Sequence, residues 1–120
     1  MIEYYIFSVC YSKKSEHIDW VLLGRPVDGK MDKCDLVSRS FVVDLIATES
    51  ASFWTATFKG KGKGFAKGAE VIVYDDEFIT TVADAKEENN LENLPTFSMP
   101  EEEMDKHLKD SLEKIFGKAG

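Results

Sequence analysis

Apolar side chains crowd the start of the chain. From Tyr4 to Tyr11 they alternate, with Tyr5, Phe7, Val9 and Tyr11 on one face and Tyr4, Ile6, Ser8 and Cys10 on the other. Both faces are mostly apolar and β-propensity is high, which predicts an interior strand. Ser12 to Glu16 is a polar turn. Ile18 to Leu23 reads as a second strand, closed by Gly24 and Pro26, with Gly29 marking the loop that follows. The period then changes. Ser38 is placed to cap a helix, with Val37 and Val42 as a hydrophobic staple and Phe41, Val42, Leu45 and Ile46 as its apolar face. Thr48 to Ser50 end it.

Ser52 to Phe58 is aromatic and β-branched, hence a strand, and Ala69 to Tyr74 is another. Asp75-Asp76 then reads as a two-residue turn into Glu77 to Ala83. Beyond Pro95 a final helix is predicted over about 99–116. Ser98 serves as its cap, Pro100 suits its first turn, and Glu101, Glu102 and Glu103 complement its dipole. Met104, Leu108, Leu112, Ile115 and Phe116 form a narrow apolar stripe, and Glu102–Lys106, Asp105–Lys109 and Asp110–Lys114 are favourable i, i+4 spacings. Gly117 stops the helix. The order β-β-α-β-β-β-α predicts an α+β fold: an antiparallel sheet of about five strands with two helices on one face. A single domain spans 1–120, with its core in about 1–97.

Composition narrows the picture. A chain of 120 residues, 43% hydrophobic, fits one domain with an adequate core. No apolar run approaches the roughly 20 residues of a membrane-spanning helix. The opening MIEYYIFSVCYSKK lacks a basic n-region and a cleavage site, so a strand is expected there rather than a signal peptide. Cys10 and Cys34 have no CxxC or His context and read as two reduced thiols of a cytoplasmic protein.

The net charge of −7 is uneven: residues 1–60 carry −1 and residues 61–120 carry −6. Within the second half, Lys59 to Lys67 holds four Lys and no acid, whereas Glu70 to Asp105 holds twelve acids against Lys86 alone. A small cationic loop sits on an anionic body, and net acidity disfavours nucleic acid and anionic membrane as long-range partners.

Phe78-Ile79-x-Thr81-x-x-Asp84, followed by Asn89-Asn90-Leu91-x-x-Leu94-Pro95, resembles the ending of a small bacterial domain-of-unknown-function family, family 3892. Upstream, the Ser-capped helix from Ser38 to Ile46 and the aromatic strand around Phe53-Trp54-Thr55 are similar too, so the resemblance covers about residues 38–95. The chain departs from the pattern at Asn89, where Asp is usual, and at Ala85, where Gly is common. The resemblance supports the fold and implies no activity, cofactor or catalytic residue. Read physically, Asp84, Asn89 and Asn90 suit Asx-turns, Leu91 and Leu94 pin the segment to the core, and Pro95 halts any helix. A Ca²⁺ site from Asp84, Glu87, Glu88, Asn89 and Asn90 is the functional alternative, but the spacing does not match an EF-hand loop. No metal is expected.

GKGKGFAKG, from Gly60 to Gly68, invites a phosphate-binding reading. No Ser or Thr follows a GK at P-loop spacing, and the segment joins two strands where a dinucleotide fingerprint feeds a helix. What remains is a solvated hairpin loop whose Lys residues discourage edge pairing. Alternatively, Lys59, Lys61, Lys63 and Lys67 contact nucleic acid or a nucleotide, with Trp54 and Phe65 as stacking surfaces. His17 lies in a polar turn and His107, beside Met104 and Leu108, reads as a half-buried packing residue. No acid, base and nucleophile constellation emerges, and no cofactor motif. The expectation is a non-catalytic interaction module, a stoichiometric inhibitor or adaptor. It binds a protein partner through Glu101, Glu102, Glu103, Met104, Leu108 and Leu112, and a homodimer is compatible with the same helix.

Overall fold

A computed structural model describes residues 1–28, 30–58, 64–82 and 89–117, apart from the side chains of Glu101, Glu102 and Met104. Six strands form a mixed sheet: β1 (Ile2–Tyr11), β2 (Ile18–Val27), β3 (Lys30–Ser38), β4 (Ala51–Phe58), β5 (Phe65–Tyr74) and β6 (Phe78–Thr81). Helix α1 (Arg39–Ala47) lies between β3 and β4, a 3₁₀ turn covers Leu91–Asn93, and helix α2 (Glu101–Phe116) comes last. The spatial order is β3-β2-β1-β4-β5-β6.

Two expectations need correction. Lys30–Ser38 is a strand, not a loop, so the order is β-β-β-α-β-β-β-α. The sheet is also not wholly antiparallel, because β4 runs parallel to β1, Ile2 beside Ala51 through Ile6 beside Thr55. The second follows from the first. With β3 present, the chain enters α1 running in the direction of β1, and the helix carries it across the sheet to return the same way. The missing strand is an edge, charged at Lys30, Asp32, Lys33 and Asp35 and mostly exposed, so it lacks the apolar alternation by which strands are read.

The alternation of β1 is interrupted. Ile6 pairs with Leu23 and Ser8 with Leu22, leaving Phe7 as the extra residue of a bulge. The bulge switches the faces. Tyr4, Ile6, Val9 and Tyr11 therefore share the core side, while Tyr5 and Phe7 turn their rings onto Phe65 and Phe58. The core joins Ile6, Val9, Val21, Leu23, Phe53, Val71 and Ile79 of the sheet to Val42 and Val43 of α1 and to Leu91 and Leu94. The Leu-x-x-Leu pair does pin its segment to the core.

Helix α1 begins as expected, with the Ser38 hydroxyl accepting from the Phe41 N–H at 3.2 Å. Its buried pair is Val42 and Val43, whereas Phe41 is exposed, so the apolar face is rotated by about a residue from the expected one. It ends in a Schellman arrangement. The Ser50 N–H donates to the Leu45 carbonyl at 2.9 Å and the Glu49 N–H to the Ile46 carbonyl at 3.0 Å, with Glu49 at φ 57°. The β5–β6 turn has Asp75 and Asp76 both left-handed, but Tyr74 pairs with Phe78, which leaves three residues between the pair rather than two.

Pro95–Phe97 runs alongside β1 where β4 has peeled away. The Val9 N–H donates to the Pro95 carbonyl at 3.1 Å, the Phe97 N–H to the Val9 carbonyl at 3.0 Å, and the Ser8 hydroxyl to the Pro95 carbonyl at 2.8 Å. Helix α2 follows three residues later, capped by Pro100 without a side-chain bond, so Ser98 is not its cap. None of its described side chains joins the core. The Cα radius of gyration is 15.8 Å, against about 14 Å for a compact domain of this length. No described helix is long and apolar enough to cross a membrane.

Candidate functional site

The apolar stripe of α2 lies open. Leu108 is 61% exposed, Leu112 44%, Ile115 70% and Phe116 80%. The helix was expected to cover the sheet beside α1, and these exposures overturn that. His107 is likewise exposed rather than half-buried. Glu103 is exposed in the first turn, and the side chains of Glu101, Glu102 and Met104 lie outside the described residues. Of the residues predicted to bind a partner, Leu108 and Leu112 are thus brought together on one uncovered ridge, and Ile115 and Phe116 extend it. Helical spacing was the signal for all four.

The Lys-Gly segment divides. Lys59, Lys61 and Lys63 lie outside the described residues, whereas Phe65 to Gly68, expected in a loop, belong to β5. Lys67 there is engaged on both sides: its ammonium stands 3.1 Å from the Glu3 carboxylate and 3.9 Å from the centre of the Trp54 ring. Phe65 packs against Tyr5 with ring centres 5.1 Å apart. The indole N–H of Trp54 is buried without a hydrogen-bond partner. The Tyr5 hydroxyl donates to Glu3, and that bond, then the one from Lys67, holds the Glu3 carboxyl below its ordinary range. Burial, and then the bond to Glu3, push the Tyr5 phenol up to about 12.

In the Phe78–Pro95 tail, Asp84, Glu87 and Glu88 lie outside the described residues. The backbone carbonyl of Asn89 and the side-chain oxygen of Asn90 are spent on the fold. The Thr55 hydroxyl donates to the Asn89 carbonyl at 2.7 Å while accepting from the Ala69 N–H at 2.9 Å, and the Thr81 hydroxyl donates to Asn90 Oδ1 at 3.1 Å. No cluster of three or more potential metal ligands occurs among the described residues.

A cleft of about 280 Å³ was not anticipated. The His17 ring stacks on Phe78 at 3.8 Å, and the Arg39 guanidinium lies 5.1 Å from the same ring centre. Arg39 is tethered by the Ile18 carbonyl at 3.1 Å and Asp19 at 3.5 Å, while its Nε is buried without a partner. Thr81, Asn90 and Glu92 are also part of the wall. The lining comes from distant parts of the chain, so no local motif could have announced it. Its size is at or below the lower end for ligand pockets. His17 Nδ1 faces the Tyr74 hydroxyl at 3.5 Å, too long for a working acid–base bond. Cys10 is buried, Cys34 is exposed, and neither forms a disulfide.

No family model, no curated protein and no solved structure matches this chain.

Proposed function

We propose that the protein is a non-catalytic interaction module that binds a protein partner through α2. One observation carries this reading: the stripe Leu108, Leu112, Ile115 and Phe116 is exposed although the helix that bears it is amphipathic. A helix of 16 residues is only marginally stable in water, and most helices owe their stability to burying an apolar face. Burying each of these side chains is worth about 2 kcal/mol before the costs of association are met. The acidic first turn, Glu101 to Glu103, selects against anionic partners and speeds encounter with basic ones. The nucleic-acid reading has less support, since Lys67 already pairs with Glu3 and covers Trp54.

The double substitution Leu112→Asp with Phe116→Asp tests it. Exposed positions tolerate such changes within about 0.5 kcal/mol, so at dilution the melting temperature stays within about 2 °C of wild type. Partner capture by cross-linking in extract of the source organism is lost. A fall of about 10 °C or more would mean that the stripe belongs to the protein's own core and sink the proposal.

A further inference from the structure

The cleft beside Phe78 holds a cation that the fold leaves short of partners. Arg39 stands in its wall with a side chain only 18% exposed. A guanidinium carries five N–H donors. The Ile18 carbonyl at 3.1 Å and Asp19 at 3.5 Å both meet Nη1. Nε is buried, and neither it nor Nη2 meets an acceptor among the described residues. Buried donors without a partner are rare in native proteins, and in a cleft the partner can come from outside the chain. The cation is also held in place, since it lies against the Phe78 ring on which His17 stacks.

The rest of the lining is not cationic. Glu16 and Glu92, both exposed, belong to it, and so does Tyr11. Burial, and then the Glu92 carboxylate, push the Tyr11 phenol above its ordinary range, so a negative charge acts on that part of the cleft. A simple anion would meet two carboxylates beside one guanidinium that Asp19 already offsets in part. A simple amine would leave the free donors of Arg39 unmet. A molecule with both charges answers both. We propose that the cleft binds a small zwitterion of the α-amino acid class, its carboxylate on Arg39 and its ammonium toward Glu92 and Glu16. The volume of about 280 Å³ falls short of the roughly 300 Å³ at which pockets for drug-sized ligands begin, so the ligand is smaller than a nucleotide. Tyr11, Phe78 and Ile79 offer its side chain an apolar wall. No described residue of α2 lines the cleft, so this site and the helix stand or fall separately.

The test follows the backbone amides of the full chain by NMR while the common α-amino acids are added one at a time. Each is taken to about 10 mM, enough to detect millimolar affinity. The expected result is that at least one shifts the amides of His17, Arg39, Thr81 and Leu91 in a saturable way. Its N-acetyl derivative, which lacks the ammonium, and its amide, which lacks the carboxylate, each bind about tenfold more weakly, the cost of one charged hydrogen bond. Glu92→Gln weakens the parent amino acid but leaves the N-acetyl derivative unchanged, because the ammonium is the group that Glu92 meets. Arg39→Gln abolishes binding; should that variant fail to fold, the amide derivative makes the same comparison on the intact chain. An amide that binds as tightly as its parent would make this an amine site, and an N-acetyl derivative that does so an anion site. Either result overturns the proposal, and so does the absence of any shift across the whole set.

Discussion

Thr55 holds three segments together with one hydroxyl. It is fully buried on β4, donates to Asn89 in the tail and accepts from Ala69 on β5. Gly68 is required beside it, since a Cβ there would fall 2.2 Å from Thr55 Oγ1, an atom already fixed by two hydrogen bonds. The Glu3–Tyr5–Lys67 group makes a pH prediction. Because the folded phenol of Tyr5 lies at about 12, above its ordinary value of 10.0, its contribution to stability is complete below about pH 10 and is lost as pH rises through 12. Ultraviolet titration of tyrosine ionisation should therefore show one phenol titrating near pH 12 that Tyr5→Phe removes; a Tyr5→Phe curve that keeps this phase would contradict the assignment. Leu91 and Leu94 were legible because an apolar pair closed by Pro has little to do except reach a core. Arg39 and His17 were not, because their shared contact with Phe78 exists only once three distant segments meet.

At the scale of elements, α1 shows what local chemistry settles and what it leaves to packing. Ser38 at the cap was readable, since its hydroxyl suits the free N–H groups of a first turn. The C-terminal end was not, for Glu49 occupies the left-handed position that Gly usually fills. Glu49→Gly should relieve that strain, offset in part by the freer unfolded chain, and stabilise the protein by about 0.5–1 kcal/mol. Thermal denaturation would show this as a rise of about 2–5 °C, and a fall would mean that the Glu49 side chain makes a contact worth more than the strain. The strand β3 escaped notice for a different reason. Edge strands are kept charged to avoid sticking to one another, and that same charge erases the apolar alternation. The bulge at Phe7 was hidden too, since a run apolar at nearly every position reads equally well in either register.

For the molecule as a whole, the α+β class, the two helices and most strands follow from periodicity alone. The parallel pairing of β1 with β4 depends on the strand that was hidden. The role of α2 was open in the sequence, because an amphipathic stripe reads the same whether it covers its own sheet or another surface. The structure leaves that stripe uncovered. Hydrogen exchange of the full chain, followed by mass spectrometry at dilution and at high concentration, tests this most directly. At dilution the α2 amides should exchange orders of magnitude faster than those of β1 and β4, since nothing but the helix itself protects them. Protection of α2 equal to that of β1 at the lowest concentration would place the helix in its own chain's core and contradict the account.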